Sequence, residues 1–212
     1  MTYKSSLFLY MKKSFTLLEI IFVIFLISLL LVYITPKFKI SKIQLAKNQL
    51  LLHLKYVRYI AMLDDKYKPA DDEWYKELWR IKFERCDEIY GGSFYTIFSD
   101  TNHKGHANKD EVLKDPLTGK LIYASSCNPE QLYNYQANVL LRYHFGIKEI
   151  NLSCNDTDSL GQIIFDNQGD VYTSVKDELG EYVLDETCII TLEDFNNHKE
   201  YIRIEPNTGY IY

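Results

Sequence analysis

Residues 15–34 read FTLLEIIFVIFLISLLLVYI, and Thr35 and Pro36 follow. Only Thr16, Glu19 and Ser28 interrupt a run of otherwise apolar or aromatic positions. At about 1.5 Å per residue, a helix of this length spans roughly 30 Å, the thickness of a bilayer's hydrocarbon core. Lys12 and Lys13 stand immediately before it, so the positive-inside rule keeps the first residues cytoplasmic and sends the C-terminal bulk outside. An ordinary cleaved signal needs an apolar stretch of about 7–15 residues and a small-x-small site behind it. This run is longer, and Ile34-Thr35-Pro36-Lys37 provides no such site. The expectation is one membrane-spanning helix carrying an exported body.

The averages agree with one domain plus an appendage. The chain has 212 residues, 47% hydrophobic, 25% charged and 15% aromatic, against roughly 150 residues for a typical domain. Such a composition excludes a wholly disordered, collagen-like or polytopic membrane protein. Lys4, Lys12, Lys13 and Glu19 are the charges ahead of Pro36, which leaves 21 basic and 28 acidic residues behind it. The net charge of −5 argues against a broad nucleic-acid-binding surface.

A carboxylate in a membrane helix costs about 2.5–3.5 kcal/mol at the bilayer centre and less near the interface, so Glu19 needs a reason to be there. The segment Lys12-Lys13-Ser14-Phe15-Thr16-Leu17-Leu18-Glu19 resembles the class III prepilin processing motif of type IV pilins and type II secretion pseudopilins. The resemblance implies that a prepilin peptidase cuts between Ser14 and Phe15 and that the new amine of Phe15 is methylated. It also implies that Glu19 pairs with the terminal ammonium of a neighbouring subunit in a filament. Two charges that are each expensive in an apolar medium become tolerable as a pair. Pro36 matches the family's proline at the point where this helix leaves the membrane. The residue before the cut is usually glycine and here is Ser14, while a start at Met11 leaves the compact leader MKKS. The implied location is the bacterial inner membrane, single-pass, with a cytoplasmic leader and a periplasmic C-terminal head.

Beyond Pro36, the apolar residues Ile40, Ile43, Ala46, Leu50, Leu54, Val57 and Ala61 recur at steps of three and four, which places them on one helical face. Lys42, Lys47, Asn48, Lys55 and Arg58 occupy the other side. The spacing predicts one helix from the apolar run to about Asp64, some 50 residues and roughly 75 Å long. Residues 73–212 read as strands and turns. Predicted strands are Trp79–Glu84 and Phe94–Phe98 around Gly91-Gly92, then Val139–Phe145, Gly161–Phe165, Thr187–Leu192, Tyr201–Ile204 and Tyr210–Tyr212. The expected fold is α+β, a long N-terminal transmembrane and amphipathic helix packed on an antiparallel sheet, as in pilins. Its parts are a leader over 1–14, a transmembrane or filament-core helix over 15–35, an amphipathic continuation over 36–65 and a periplasmic β-rich head over 66–212. Leu54–Ala61 and the closing Ile202–Ile211 are similar to H-type minor pseudopilins and FimT-like minor pilins.

Cys86, Cys127, Cys154 and Cys188 fall on the side expected to be exported, where oxidation is permitted. They show no metal-type spacing and allow three pairings, of which Cys86–Cys127 with Cys154–Cys188 closes the shorter loops. The loop from Asp100 to Glu111 places Asp100, Asn102, Gly105 and Glu111 in the register of an EF-hand-like calcium loop, with Lys104 where a fifth-position ligand belongs and Asp110 as a substitute. A solvated hairpin loop accounts for the same residues, so calcium is a possible cofactor and none is required.

Catalysis finds no footing, since His53, His103, His106, His144 and His198 make no HExxH pattern and no GxSxG or phosphate-binding glycine loop occurs. The expected function is that of a non-enzymatic minor pseudopilin helping a type II secretion or type IV pilus-like filament to assemble. Its expected partners are prepilin peptidase, other pseudopilins or pilins, and the inner membrane. Two alternatives compete with it. A minor pilin of a DNA-uptake pilus would use a local patch such as Lys104, Lys109 and Lys114 on nucleic acid. A membrane-anchored periplasmic binding domain would never polymerise and would tolerate loss of Glu19.

Overall fold

The computed structural model describes residues 16–34, 41–124, 126–132, 138–155, 159–176, 178–180 and 182–212. The chain divides into two compact units, Met1–Lys39 and Ile40–Tyr212. In the first, helix α1 covers Leu17–Ile34. Thr16 starts it by accepting the Glu19 N–H at both its carbonyl and, at 3.3 Å, its hydroxyl, which satisfies a donor that the first turn leaves open. Ser28 returns its hydroxyl to the Ile24 carbonyl at 2.5 Å, so a polar residue sits in the apolar run without an unmet donor. Every described side chain from 16 to 31 is exposed.

The structure corrects the expectation of a single-pass inner-membrane protein. Among the described residues, no helix is long and apolar enough to cross a membrane. Among those residues, α1 covers 18, Leu17–Ile34. The longer span expected from the sequence includes Phe15 and Thr16, and Thr16 serves as a cap. Lys12, Lys13, Ser14, Phe15 and Pro36 lie outside the described residues, as does the expected junction of the two helical halves at 35–40.

The second unit is built on α2, Lys42–Leu63. Ile43, Ala46, Leu50, Leu54, Val57 and Ala61 are buried on one face, and His53 is buried with them. Two antiparallel sheets receive this face. One has the order β2–β1–β4–β5, from Ser93–Ser99, Trp79–Arg85, Gln162–Phe165 and Val171–Tyr172. The other has the order β3–β6–β7, from Ile147–Leu152, Cys188–Asp194 and Lys199–Ile204. All strand pairs are antiparallel, with Trp79 opposite Ser99 in one sheet and Cys188 opposite Ile204 in the other. The architecture is therefore α+β with antiparallel sheets.

The core joins the buried face of α2 to Ile81, Phe83, Tyr95, Ile97, Ile163 and Phe165 from the first sheet and Ile150, Ile190, Leu192, Ile202 and Ile204 from the second. The first sheet is covered on its other face too, where Leu78, Ile164, Tyr172 and Val175 make a smaller apolar cluster beside Trp74 and Tyr75. Charged side chains pin the rim of α2. Lys47 pairs with Glu200 at 3.0 Å, and Arg58 donates twice to the Thr208 carbonyl at 3.1 and 2.7 Å. Gly209, at φ +57°, lets that turn close against α2, because a Cβ there would lie 2.8 Å from the Gly169 carbonyl oxygen.

Two predicted strands take other forms. Within Val139–Phe145, the residues Leu141–Phe145 form a short helix, α4, after α3 at Pro129–Leu132. Gly146 ends α4 in the left-handed region, and its N–H reaches the Arg142 carbonyl at 2.9 Å. An apolar run this short carries no period that separates strand from helix. Tyr210–Tyr212 makes only a single bridge, Ile211 to Ile204.

Both disulfides close within the second unit. Cys86–Cys127 ties the end of β1 to the segment before α3, with a Cα separation of 5.6 Å. Cys154–Cys188 fastens the end of β3 to the start of β6 at 5.2 Å. They are compatible with a periplasmic or secreted domain.

Candidate functional site

A group of charged and titratable side chains lies where the loop after β2 meets the turn before β1. That turn is a single 3₁₀ turn, Trp74–Glu77, and the Ser99 hydroxyl donates to the Glu77 carbonyl at 2.6 Å to join the two segments. Asp71 accepts the Glu73 N–H at 2.9 Å and so shapes the approach to the turn.

Asp100 and Glu111 are both buried, and their oxygens are committed to the loop itself. Asp100 accepts the N–H groups of Lys104 and Gly105 at 3.0 and 2.8 Å. One oxygen of Glu111 accepts the Thr101 hydroxyl, the Asn102 N–H and the Asn102 side-chain amide at 2.8, 3.0 and 2.6 Å, and the other takes the Asn108 N–H at 3.1 Å. Burial pulls the Glu111 carboxyl upward, but these donors together hold it below its ordinary range. The side-chain oxygen of Asn102 meanwhile accepts the Lys104 N–H at 3.1 Å. A calcium ion wants six to eight oxygens, and here the expected ligands Asp100, Asn102 and Glu111 are saturated by internal donors with Lys104 beside them. The donor set fits a self-satisfied hairpin loop, not a calcium cage.

Arg80 lies under this loop, buried, with its guanidinium over the Phe98 ring at 5.5 Å. It donates to the carbonyls of Lys76 and Leu78. Burial pulls its pKa down to about 10 against the through-space attraction of Asp100 and Glu111. Strand alternation points Arg80 away from the main core, but the smaller apolar cluster covers that face as well. A cavity of about 610 Å³ opens beside it, and Lys76, Arg80, Lys82, His103, Lys104 and Lys176 contribute to its walls. Much of this positive charge is already engaged, because Lys76 pairs with Glu73 while Lys82 meets Glu84 at 3.5 Å and the Gly105 carbonyl at 2.9 Å.

A second polar constellation fixes α2. His53 Nδ1 lies 2.8 Å from the Tyr95 hydroxyl, and its Nε2 lies 3.5 Å from Asp115. Gln49 donates to the same Tyr95 hydroxyl at 2.9 Å. Burial lowers the His53 pKa and outweighs the opposing pull of Asp115. The Asp115 carboxyl also accepts the Thr118 hydroxyl and the Leu117 N–H, and it stays below its ordinary range although burial pushes it up. This arrangement ties α2 to Tyr95 of β2 and to the loop that carries Asp115.

Of the residues predicted from sequence to act, Glu19 occupies the exposed first turn of α1, where a carboxylate also complements the helix dipole. The Thr16-x-x-Glu19 spacing is itself a capping signature, a local role that the resemblance alone does not supply. Asp100, Asn102 and Glu111 share one loop, where Glu111 accepts from the backbone and side chain of Asn102 while Asp100 accepts from the backbone of Lys104 and Gly105. Sequence reasoning missed Arg80, Asp71 and Glu77, which carry no spacing motif. No family model, no curated protein and no solved structure matches this chain.

Proposed function

We propose that the chain is a non-enzymatic structural subunit of a type II secretion or type IV pilus-like filament, processed between Ser14 and Phe15, with α1 as its assembly helix. The observation that carries this reading is the segment Lys12–Glu19 running directly into α1, whose described side chains are apolar almost all round and wholly exposed. A helix of that kind finds no core within its own unit and gains by packing against others like it. Glu19, one turn from the processing point, then meets the new ammonium of a neighbour, and each charge relieves the other's desolvation. The amphipathic α2 and the disulfide-closed sheets form a head that such an assembly helix would display.

The test is peptide mass spectrometry of the N-terminus from cells that process other prepilins. A chain starting at N-methylated Phe15 is the expected result, and a chain still carrying Lys12, Lys13 and Ser14 overturns the reading. Glu19→Lys should then abolish filament incorporation while leaving head stability unchanged, whereas a domain that never polymerises would keep full function.

A further inference from the structure

We propose that Asp71, Glu77 and His103 bind one divalent first-row cation of the zinc class, which displaces the Lys68 ammonium from Glu77. The inference is independent of the filament reading. One potential ligand atom from each of the three residues lies within 4.8 Å of the other two. Glu77 is buried, and it holds Lys68 through both oxygens at 2.6 and 2.7 Å, so a cation already stands at this carboxylate.

His103 supplies the second observation. Its Nε2 has no hydrogen-bond partner and no meaningful exposure, and it stops 3.7 Å from Glu77, beyond hydrogen-bond reach. Its Nδ1 faces Glu73 at 3.5 Å. A carboxylate on one imidazole nitrogen with the other turned toward further acidic oxygens is how metal-binding histidines are oriented. His103 reaches this position with φ at +57°, one of three non-glycine residues in the left-handed region among those described.

An imidazole with two carboxylates suits zinc-class ions better than calcium. Zinc bonds of about 2.0–2.2 Å set tetrahedral ligand atoms roughly 3.3 Å apart, so the ligand atoms, now within 4.8 Å of one another, must draw together by about 1.5 Å or less. Lys68 is half exposed and can swing into solvent to permit it. Water would take the fourth position.

The experiment is zinc titration of the full, chelator-stripped chain against a chromophoric competitor, with bound metal counted by elemental analysis. One zinc per chain is expected. His103→Ala should weaken binding at least tenfold, His106→Ala should leave it unchanged, and Lys68→Ala should tighten it severalfold by removing the resident cation. Absence of stoichiometric zinc, or undiminished binding in His103→Ala, overturns the proposal. Glu77→Gln adds a further check, and should it fail to fold, the His103 and Lys68 variants still decide the matter.

Discussion

The two long helices of this protein contrast. α1 has apolar residues on all sides and buries none of its described side chains, whereas α2 buries a stripe of seven residues against two sheets and exposes the rest. The difference shows that apolar content alone does not make a core. α2 contributes to the stability of its own unit because its apolar positions recur at the helical period and meet a facing surface. The described side chains of α1, from 16 to 31, meet no such surface within their own unit.

The contrast predicts unequal effects of equivalent substitutions. Leu54→Ala in α2 should cost about 2–5 kcal/mol, read as a lower urea midpoint by near-UV circular dichroism, while Leu26→Ala in α1 should leave that midpoint unchanged. Equal effects would erase the distinction. Reduction of the disulfides should come next. Each closes a loop of 34 or 41 residues and contributes about 2–4 kcal/mol. Opening Cys154–Cys188 should loosen hydrogen exchange chiefly in β3 and β6, and opening Cys86–Cys127 should do so after β1.

A smaller effect concerns pH. The folded state lowers the His53 pKa below its ordinary 6.5, so the unfolded chain takes the proton first. Stability is therefore full above about 6.5 and declines as pH falls from there toward the folded value. The slope is at most one proton, about 1.4 kcal/mol per pH unit. His53→Phe should flatten this part of the pH–stability curve, and an unaltered slope would remove His53 from the account. Smallest of all, Glu200→Gln frees the partly exposed Lys47 and should cost only about 0.2–1 kcal/mol in the same denaturation assay.

Legibility in the sequence followed periodicity. The buried face of α2 could be read residue by residue because a 3.6-residue repeat survives over six turns. β1 and β2 were legible from alternation around Gly91-Gly92. β3 was not, because a register shift between Ile147 and Glu149 breaks the two-residue period. β5, with only Val171 and Tyr172, is too short to carry one. At the candidate site, the sequence pointed to Asp100, Asn102 and Glu111 through a loop register. Whether those oxygens face a cation or their own backbone depends on how the loop closes, and here it closes on itself.

The sequence by itself determined the apolar run at 15–34, the amphipathic face of α2, the supply of cysteines and the turn chemistry, because each depends on neighbours within a few residues. Tertiary structure alone decided that Arg80 is buried on a covered second face and which cysteines meet. It also decided that Asp71 and Glu77 converge with His103 from a different loop. Such convergence depends on packing between distant segments, and no local spacing encodes that distance.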